Sequence, residues 1–280
     1  MASVPAALAP YLRRWNLEVE GQPTSGVSRQ GVLFVRRGGE RLVLKALGAV
    51  GDELRMAQVL THWDGRGAVR LVEADAGAVL MERARPGDEL TGMVYAGRDD
   101  EATAIMCEVM CALDRPAPPA SAGFRTVQDW GGGFARNRAL AIAGGLEARL
   151  VDKAERLYFE LCASQGPPIL LHGDLHHENV VRDEARGWLA IDPKGILGEA
   201  AYETCAMLRN PGEARGFENT TAVIERRARQ LSERLGHDYD RIIAWCFAQW
   251  VLAALWGFED GNYGPFMIKG AYQTEPLLRS

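Results

Sequence analysis

One short run constrains this chain more than any other: "LHGDLHHENVV", residues 171–181. It gathers three of the five histidines with Asp174, Glu178 and Asn179 into eight positions. Two chemistries fit such a run. The imidazoles could cluster around a metal, or the run could be a polar loop in which Asp174 and Asn179 do the work. The segment just downstream matters as much. "NVVRD" and "GWLAID" read as two short strands turning near residues 184–187, and Asp192 comes directly after the second, with Gly195 close behind. Alternating apolar residues on either side of a Gly-containing turn are a hairpin signal. The unit is therefore a loop, a hairpin and an acid, in that order.

His172, Asp174 and Asn179 match H-x-D-x-x-x-x-N, the spacing of a phosphoryl-transfer catalytic loop. That chemistry needs an acceptor for the proton of a substrate hydroxyl and hard oxygen ligands for Mg²⁺. Asp174 is the candidate base, and Asn179 and Asp192 are the candidate metal ligands. The same chemistry demands a lysine on a strand to hold nucleotide phosphates, fixed by a glutamate on the next helix. "RLVLK" ends in Lys45 on an expected strand, and Glu53 opens the next expected helix. By analogy of placement, the backbone of Glu82 to Ala84 lies where an adenine would pair. The phosphate-facing turn, "TSGVSRQGVLFV", offers only Gly26 and Gly31 with Ser25 and Ser28, and is not G-x-G-x-x-G.

A zinc-hydrolase reading uses His172, Asp174, His176 and His177 as ligands. It must find further ligands elsewhere, and only His62 and His237 remain. It also leaves Lys45, Glu53, Asn179 and Asp192 without a role. On the phosphoryl-transfer reading, His172 tethers the loop by hydrogen bonds rather than titrating.

The first eighty residues read mostly as strands. A hairpin turns at Gly38-Gly39-Glu40 and a second at Asp75-Ala76-Gly77. Between them Asp52 caps a helix with Leu54, Ala57, Leu60 and Trp63 on one face. Pro86-Gly87 breaks the pattern and marks a connector over 83–87. Beyond it the chain is mainly helical, with helices ending before Pro116 and spanning about 136–143 and 146–164. The expected architecture is α+β and two-lobed: residues 1–83 form a small antiparallel-sheet lobe that binds nucleotide, and 84–280 a larger helical lobe for catalysis and substrate.

The net charge of −5 argues against a nucleic-acid partner and suits a cationic small molecule. Five cysteines without a CxxC pair read as reduced thiols of a cytoplasmic protein. Residues 242–258, "IIAWCFAQWVLAALWGF", reach the short edge of a membrane span. A helix apolar on all sides is also what the centre of a large core requires, and the acidic flank favours the core, with no membrane partner.

"LHGDLHHENVV", "RGWLAIDPKGILGE" and "RGAVRLVE" resemble the aminoglycoside/hydroxyurea phosphotransferase family, within it most closely the streptomycin 6-phosphotransferases. The resemblance runs from Lys45 to about Pro211 and implies a protein-kinase-like fold, ATP and Mg²⁺. It implies transfer of the γ-phosphate to a hydroxyl of a small antibiotic, with Asp174 as base, Asn179 and Asp192 as metal ligands, and Lys45 with Glu53 as phosphate clamp. Another metabolite or hydroxyurea as acceptor, or an inert nucleotide-binding homologue, are the alternatives it leaves. Streptomycin carries guanidinium groups, for which Glu199, Glu203, Glu259 and Asp260 are candidate carboxylates.

Overall fold

A computed structural model describes residues 4–23, 31–48, 52–114, 116–119, 122–212, 217–259, 261 and 265–279, the side chains of Asp52 and Glu53 excepted. The chain opens with a short helix, α1 (Ala9–Arg14), then β1 (Glu18–Gly21), β2 (Val32–Arg37) and β3 (Glu40–Ala46). A 3-10 turn (Asp52–Arg55) leads into α2 (Met56–Trp63), followed by β4 (Leu71–Asp75) and β5 (Ala78–Glu82). These five strands form one antiparallel sheet in the order β1-β2-β3-β5-β4. Both expected hairpins are present. The first turns through Gly38 at a φ of 61°, a left-handed conformation that glycine adopts without a Cβ clash.

Strand alternation divides this sheet cleanly. Leu33, Val35, Leu42, Leu44 and Leu80 face one side, buried with Leu8, Trp15 and Leu17 in a small core of their own. Val32, Phe34, Val43, Lys45 and Met81 face the other side and roof a cleft. Helix α2 differs from its sequence reading. Its buried face is Met56, Val59, Leu60 and Trp63, while Leu54 lies in the preceding 3-10 turn and is exposed. Spacings of three, four and seven from Met56 make the tighter apolar stripe, so packing selects it.

Past the sheet, β6 (Pro86–Glu89) occupies the expected connector. Its Pro-Gly pair reads as a breaker, yet it pairs with the later hairpin at the edge of a three-stranded sheet, β10-β9-β6, a position that tolerates proline. Helices α3 (Thr91–Tyr95) and α4 (Asp99–Leu113) follow, then β7 (Arg125–Thr126), α5 (Val127–Ala143) and α6 (Ala148–Ala163). Helix α5 starts nine residues before its expected beginning. Gly131, Gly132 and Gly133 hide it from propensity, but Thr126 and Asp129 cap it reciprocally. A Cβ on Gly131 would meet the Tyr158 ring at 2.7 Å, and one on Gly133 would meet Trp256 at the same distance, so close helix packing requires both glycines.

The catalytic-loop region comprises β8 (Ile169–Leu171), a 3-10 turn (His177–Asn179), β9 (Val180–Asp183), β10 (Gly187–Ala190) and β11 (Ile196–Gly198). The lobe closes with α7 (Thr204–Arg209), α8 (Thr221–Leu235), α9 (Tyr239–Glu259) and α10 (Pro265–Thr274). The long apolar segment is α9. It is long and apolar enough to cross a membrane but is mostly buried. Helices α5, α6, α7, α8 and α10 surround it, and Trp245 and Trp250 on it are fully covered. All five cysteines are unpaired, four of them buried, and burial pushes the Cys246 thiol up to about 12.

Candidate active site

The floor of the cleft is built from β8, the loop after it, and the β9–β10 hairpin. His172 is fully buried, and its ring bridges two functional segments. Nε2 lies 2.8 Å from the Ile191 carbonyl, which only accepts, so Nε2 carries the proton. Nδ1 then accepts the Asp174 N–H at 3.2 Å. Both nitrogens are satisfied by a neutral imidazole, and burial drops its pKa to about 4. The expected tether is thus present, joining the residue before Asp192 to the backbone of Asp174.

A second anchor lies beneath. Glu203 is buried, and its carboxylate accepts the backbone N–H of His172 and, at 3.0 Å, that of Gly173. Burial raises its pKa to about 7, with the two N–H donors offsetting part of the cost. Its role was not apparent in the sequence. The one signal is an acid embedded in the apolar run "AAYETCAML" (200–208), where an acid has to be paired or hydrogen-bonded.

Asp174 stands differently. Among the described residues its carboxylate takes no hydrogen bond, and the His176 ring stands beside it with Nε2 at 3.8 Å. It lines the cleft. Asn179 Nδ2 donates to the Asp174 carbonyl at 2.9 Å, leaving Oδ1 as the free acceptor of the amide. Asp192 follows the hairpin at a φ of 60°, a conformation that costs a non-glycine residue about 1 kcal/mol. Such strain concentrates where a side chain must be aimed.

From the roof, Lys45 reaches across to ion-pair with Asp192. Lys194 Nζ is 3.7 Å from the other Asp192 oxygen. Burial works to raise the Asp192 pKa, but Lys45 and then Lys194 outweigh it and hold the carboxyl below its usual range. The Glu53 side chain lies outside the described residues, as do Ser25, Gly26 and Ser28 of the expected phosphate turn. At the far end, Glu82 and Ala84 both line the cleft. Glu82 donates its N–H to the Arg70 carbonyl at 3.0 Å and directs its carboxylate at Arg186. The backbone of Ala84 has no hydrogen-bond partner among the described residues. Arg83 stacks over the Phe34 ring at 3.6 Å beside it.

The cleft holds about 1770 Å³ and is lined by Lys45, Glu82, Ala84, Asp174, Asn179 and Asp192 together. An Asn oxygen and a strained carboxylate on one floor suit a Mg²⁺ ion, which takes few protein ligands and completes its shell with water and phosphate. The histidines do not suit a zinc cluster. Both His172 nitrogens are engaged, and His176 Nδ1 accepts the Glu178 N–H at 3.3 Å. His177 is buried with neither nitrogen bonded, and burial with Arg227 nearby holds it well below its usual pKa. Among the described residues, no three His, Cys, Asp or Glu side chains converge as a metal would need.

Of the acids expected to meet a cationic substrate, the three described ones do not line the cleft. Glu199 pairs with Arg241 at 2.6 Å and accepts from the Trp245 indole, and Glu203 is the loop anchor. Glu259 accepts from Asn137 at 2.7 Å, and Asp260 lies outside the described residues. Burial inside the helical lobe pairs the first two, so neither faces the cleft. The carboxylates that do line it include Asp88, Glu89 and Glu178.

A family model for aminoglycoside/hydroxyurea antibiotic resistance kinases matches residues 14–261. The chain is 34% identical to a streptomycin 3''-kinase of Klebsiella pneumoniae, over 89% of this chain and 92% of that protein. It is 33% identical to a hydroxyurea phosphotransferase of Kitasatospora aureofaciens, over 92% and 74%. With a streptomycin 6-kinase of Streptomyces glaucescens it shares 30% identity, over 94% and 85%. Among solved structures, an apo thermostable mutant of aminoglycoside phosphotransferase APH(4)-Ia superposes with a TM-score of 0.64 at 16% identity, covering 96% of this chain and 99% of that one. Choline kinase LicA from Streptococcus pneumoniae gives 0.62 at 13% identity, covering 96% of each. The two-lobed, protein-kinase-like architecture expected from the sequence is therefore the fold of this chain.

Proposed function

The chain belongs to the aminoglycoside/hydroxyurea antibiotic resistance kinases, small-molecule phosphotransferases, and from that premise we propose an ATP- and Mg²⁺-dependent enzyme that phosphorylates a hydroxyl of a streptomycin-type aminoglycoside. Residues 1–83 form the nucleotide-binding lobe and 84–280 the catalytic and substrate-binding lobe. The observation that carries this reading is the ion pair of Lys45 with Asp192 across the cleft, with the unbonded Asp174 carboxylate on the same floor.

Asp174 orients the acceptor hydroxyl and takes its proton. Lys45, steadied by Glu53, holds nucleotide phosphates. Adenine pairs with the hinge between Glu82 and Ala84, chiefly at Ala84, because Glu82 has already committed its N–H and carboxylate. Asn179 Oδ1 and Asp192 would hold Mg²⁺, which when bound neutralises charge on the phosphates. Phosphoryl transfer passes through a loose transition state, so the protein contributes mainly positioning and electrostatics. The guanidinium groups of the drug meet the cleft carboxylates Asp88, Glu89 and Glu178.

Relatives named for the 3''- and the 6-position leave the attacked hydroxyl as a question for product analysis. The 33% identity to a hydroxyurea phosphotransferase makes hydroxyurea the second acceptor to assay. The test is ATP turnover with streptomycin, hydroxyurea and other hydroxylated cations, with mass analysis of the product. The expected result is a phosphorylated streptomycin that Asp174→Ala no longer forms. Slow ATP hydrolysis that no acceptor stimulates would point instead to a nucleotide-binding protein without this transfer.

A further inference from the structure

The hairpin that carries Asn179 and Asp192 at its feet is held at its turn by an unusual junction. Arg186, in the β9–β10 turn, directs Nη1 at both oxygens of Glu82, at 2.6 and 2.5 Å. Its Nη2 donates to the carbonyls of Gly65 and, at 3.1 Å, Ala68, in the loop between α2 and β4. Glu82 also accepts the Arg70 N–H at 2.8 Å. One guanidinium thus joins three segments: the last residue of β5, the 65–70 loop, and the hairpin.

Asp183 reinforces the same junction. Its Oδ1 accepts the N–H groups of Ala185 and Arg186, each at 3.0 Å, which shapes the turn. Its Oδ2 accepts the Arg85 N–H at 3.1 Å, and the Glu184 N–H donates to the Arg85 carbonyl at 2.6 Å. At the other end of β10, Ala190 N–H donates to Gly67 at 2.8 Å, and its carbonyl accepts from Val69 at 3.1 Å. Gly65 makes room for the fork. At its φ of 75°, a Cβ would stand 2.7 Å from Arg70 Cγ and 3.3 Å from Arg186 Nη2.

We propose that Arg186 is a positioning residue: its fork locks the metal-ligand hairpin to the adenine-side end of β5, so that the two ends of a bound nucleotide are gripped by one rigid unit. This rests on the reading of the cleft as a nucleotide site. Arg186 does not face the reacting atoms. It acts through Asn179 and Asp192 on one side and through Glu82 to Ala84 on the other. The planar fork presents one nitrogen to the Glu82 carboxylate and the other to the two carbonyls, where a lysine would offer a single point charge.

Amide exchange and nucleotide binding test it separately, using Arg186→Lys, which keeps the charge, and Glu82→Gln. Without nucleotide, Arg186→Lys is expected to speed exchange of the Val69, Glu184 and Ala190 amides together by about tenfold, leaving α9 unchanged. In calorimetric titration with Mg²⁺ and a non-hydrolysable ATP analogue, each variant weakens binding by about tenfold, and the double variant is no weaker than either alone. Unchanged exchange at the three amides overturns the proposal. So does unchanged affinity, or additive losses in the double variant. Should the wild-type protein bind no nucleotide, the kinase reading falls on that result, and the exchange measurement still decides whether the fork locks the hairpin.

Discussion

Asp192 and Glu203 are two carboxylates of one catalytic region, and burial acts on both to favour the protonated form. Their pKa values move in opposite directions. At Asp192, on the cleft floor, Lys45 and Lys194 overturn the burial penalty and keep the group charged. At Glu203, beneath the loop, only backbone N–H groups oppose it, and the nearby Asp174 charge adds to the rise, so the pKa reaches about 7. Full countercharges outcompete desolvation where peptide dipoles do not. The first acid is a charge kept ready for a cation. The second is a peg whose value lies in the two donors it satisfies.

The contrast breaks most visibly in activity. Asp174→Ala is expected to cost roughly 10²–10⁴-fold in phosphorylation rate, the usual worth of a positioned base. Asp192→Asn should cost roughly 10²–10³-fold. For Asp174→Ala the thermal midpoint stays near that of the wild type, and a collapse in stability would place Asp174 with Glu203 instead; Asp192→Asn also leaves the buried Lys45 without its ion-pair partner, so its midpoint falls as well. Glu203→Ala reverses the pattern. It strands two buried N–H groups at about 1–3 kcal/mol each, so chemical denaturation should show a loss of about 3 kcal/mol. An unchanged midpoint would show that the loop does not hang on this acid.

A smaller effect lies in the pH dependence. A carboxyl whose pKa is higher folded than unfolded holds its proton longer in the native state. Its stabilisation is complete below the ordinary glutamate range and fades as pH climbs to about 7. His172 slopes the other way. Its folded pKa of about 4 means that stability is lost as pH falls from the ordinary imidazole range toward 4. The two oppose each other between about pH 4.5 and 6.5. Glu203→Gln removes one slope, so its stability should rise more steeply with pH across that window than the wild type's. Parallel curves would refute the assignment. The smallest change marks the baseline: Arg156 and Glu160 pair at 3.9 Å on an exposed helix face away from the cleft, and Glu160→Gln should leave turnover and the unfolding midpoint where they were.

The residues facing the cleft were largely legible in the sequence, because their chemistry fixes residue type and order together. Lys45, Asp174, Asn179 and Asp192 could be named from spacing, and the structure brings them to one cleft. What holds them was not legible. Glu203 read as a candidate partner for the substrate's cations because burial is invisible in one dimension, and nothing singled out Arg186, whose partners lie 104 and 121 positions away. Local rules failed where tertiary contacts overruled them. Pro86-Gly87 became an edge strand because β9 was there to pair with, and the Gly131–Gly133 run stayed helical because aromatic side chains pack against it.

The central place of α9 also has a cost in time. The surfaces of α5, α6, α7, α8 and α10 close around a rod that the ribosome makes only after residue 238, so most of the larger lobe emerges without the element it folds around. Until then its apolar faces have no α9 to cover them. A chain truncated ahead of Tyr239 should therefore accumulate as aggregate, even though every side chain on the cleft floor has already been synthesised.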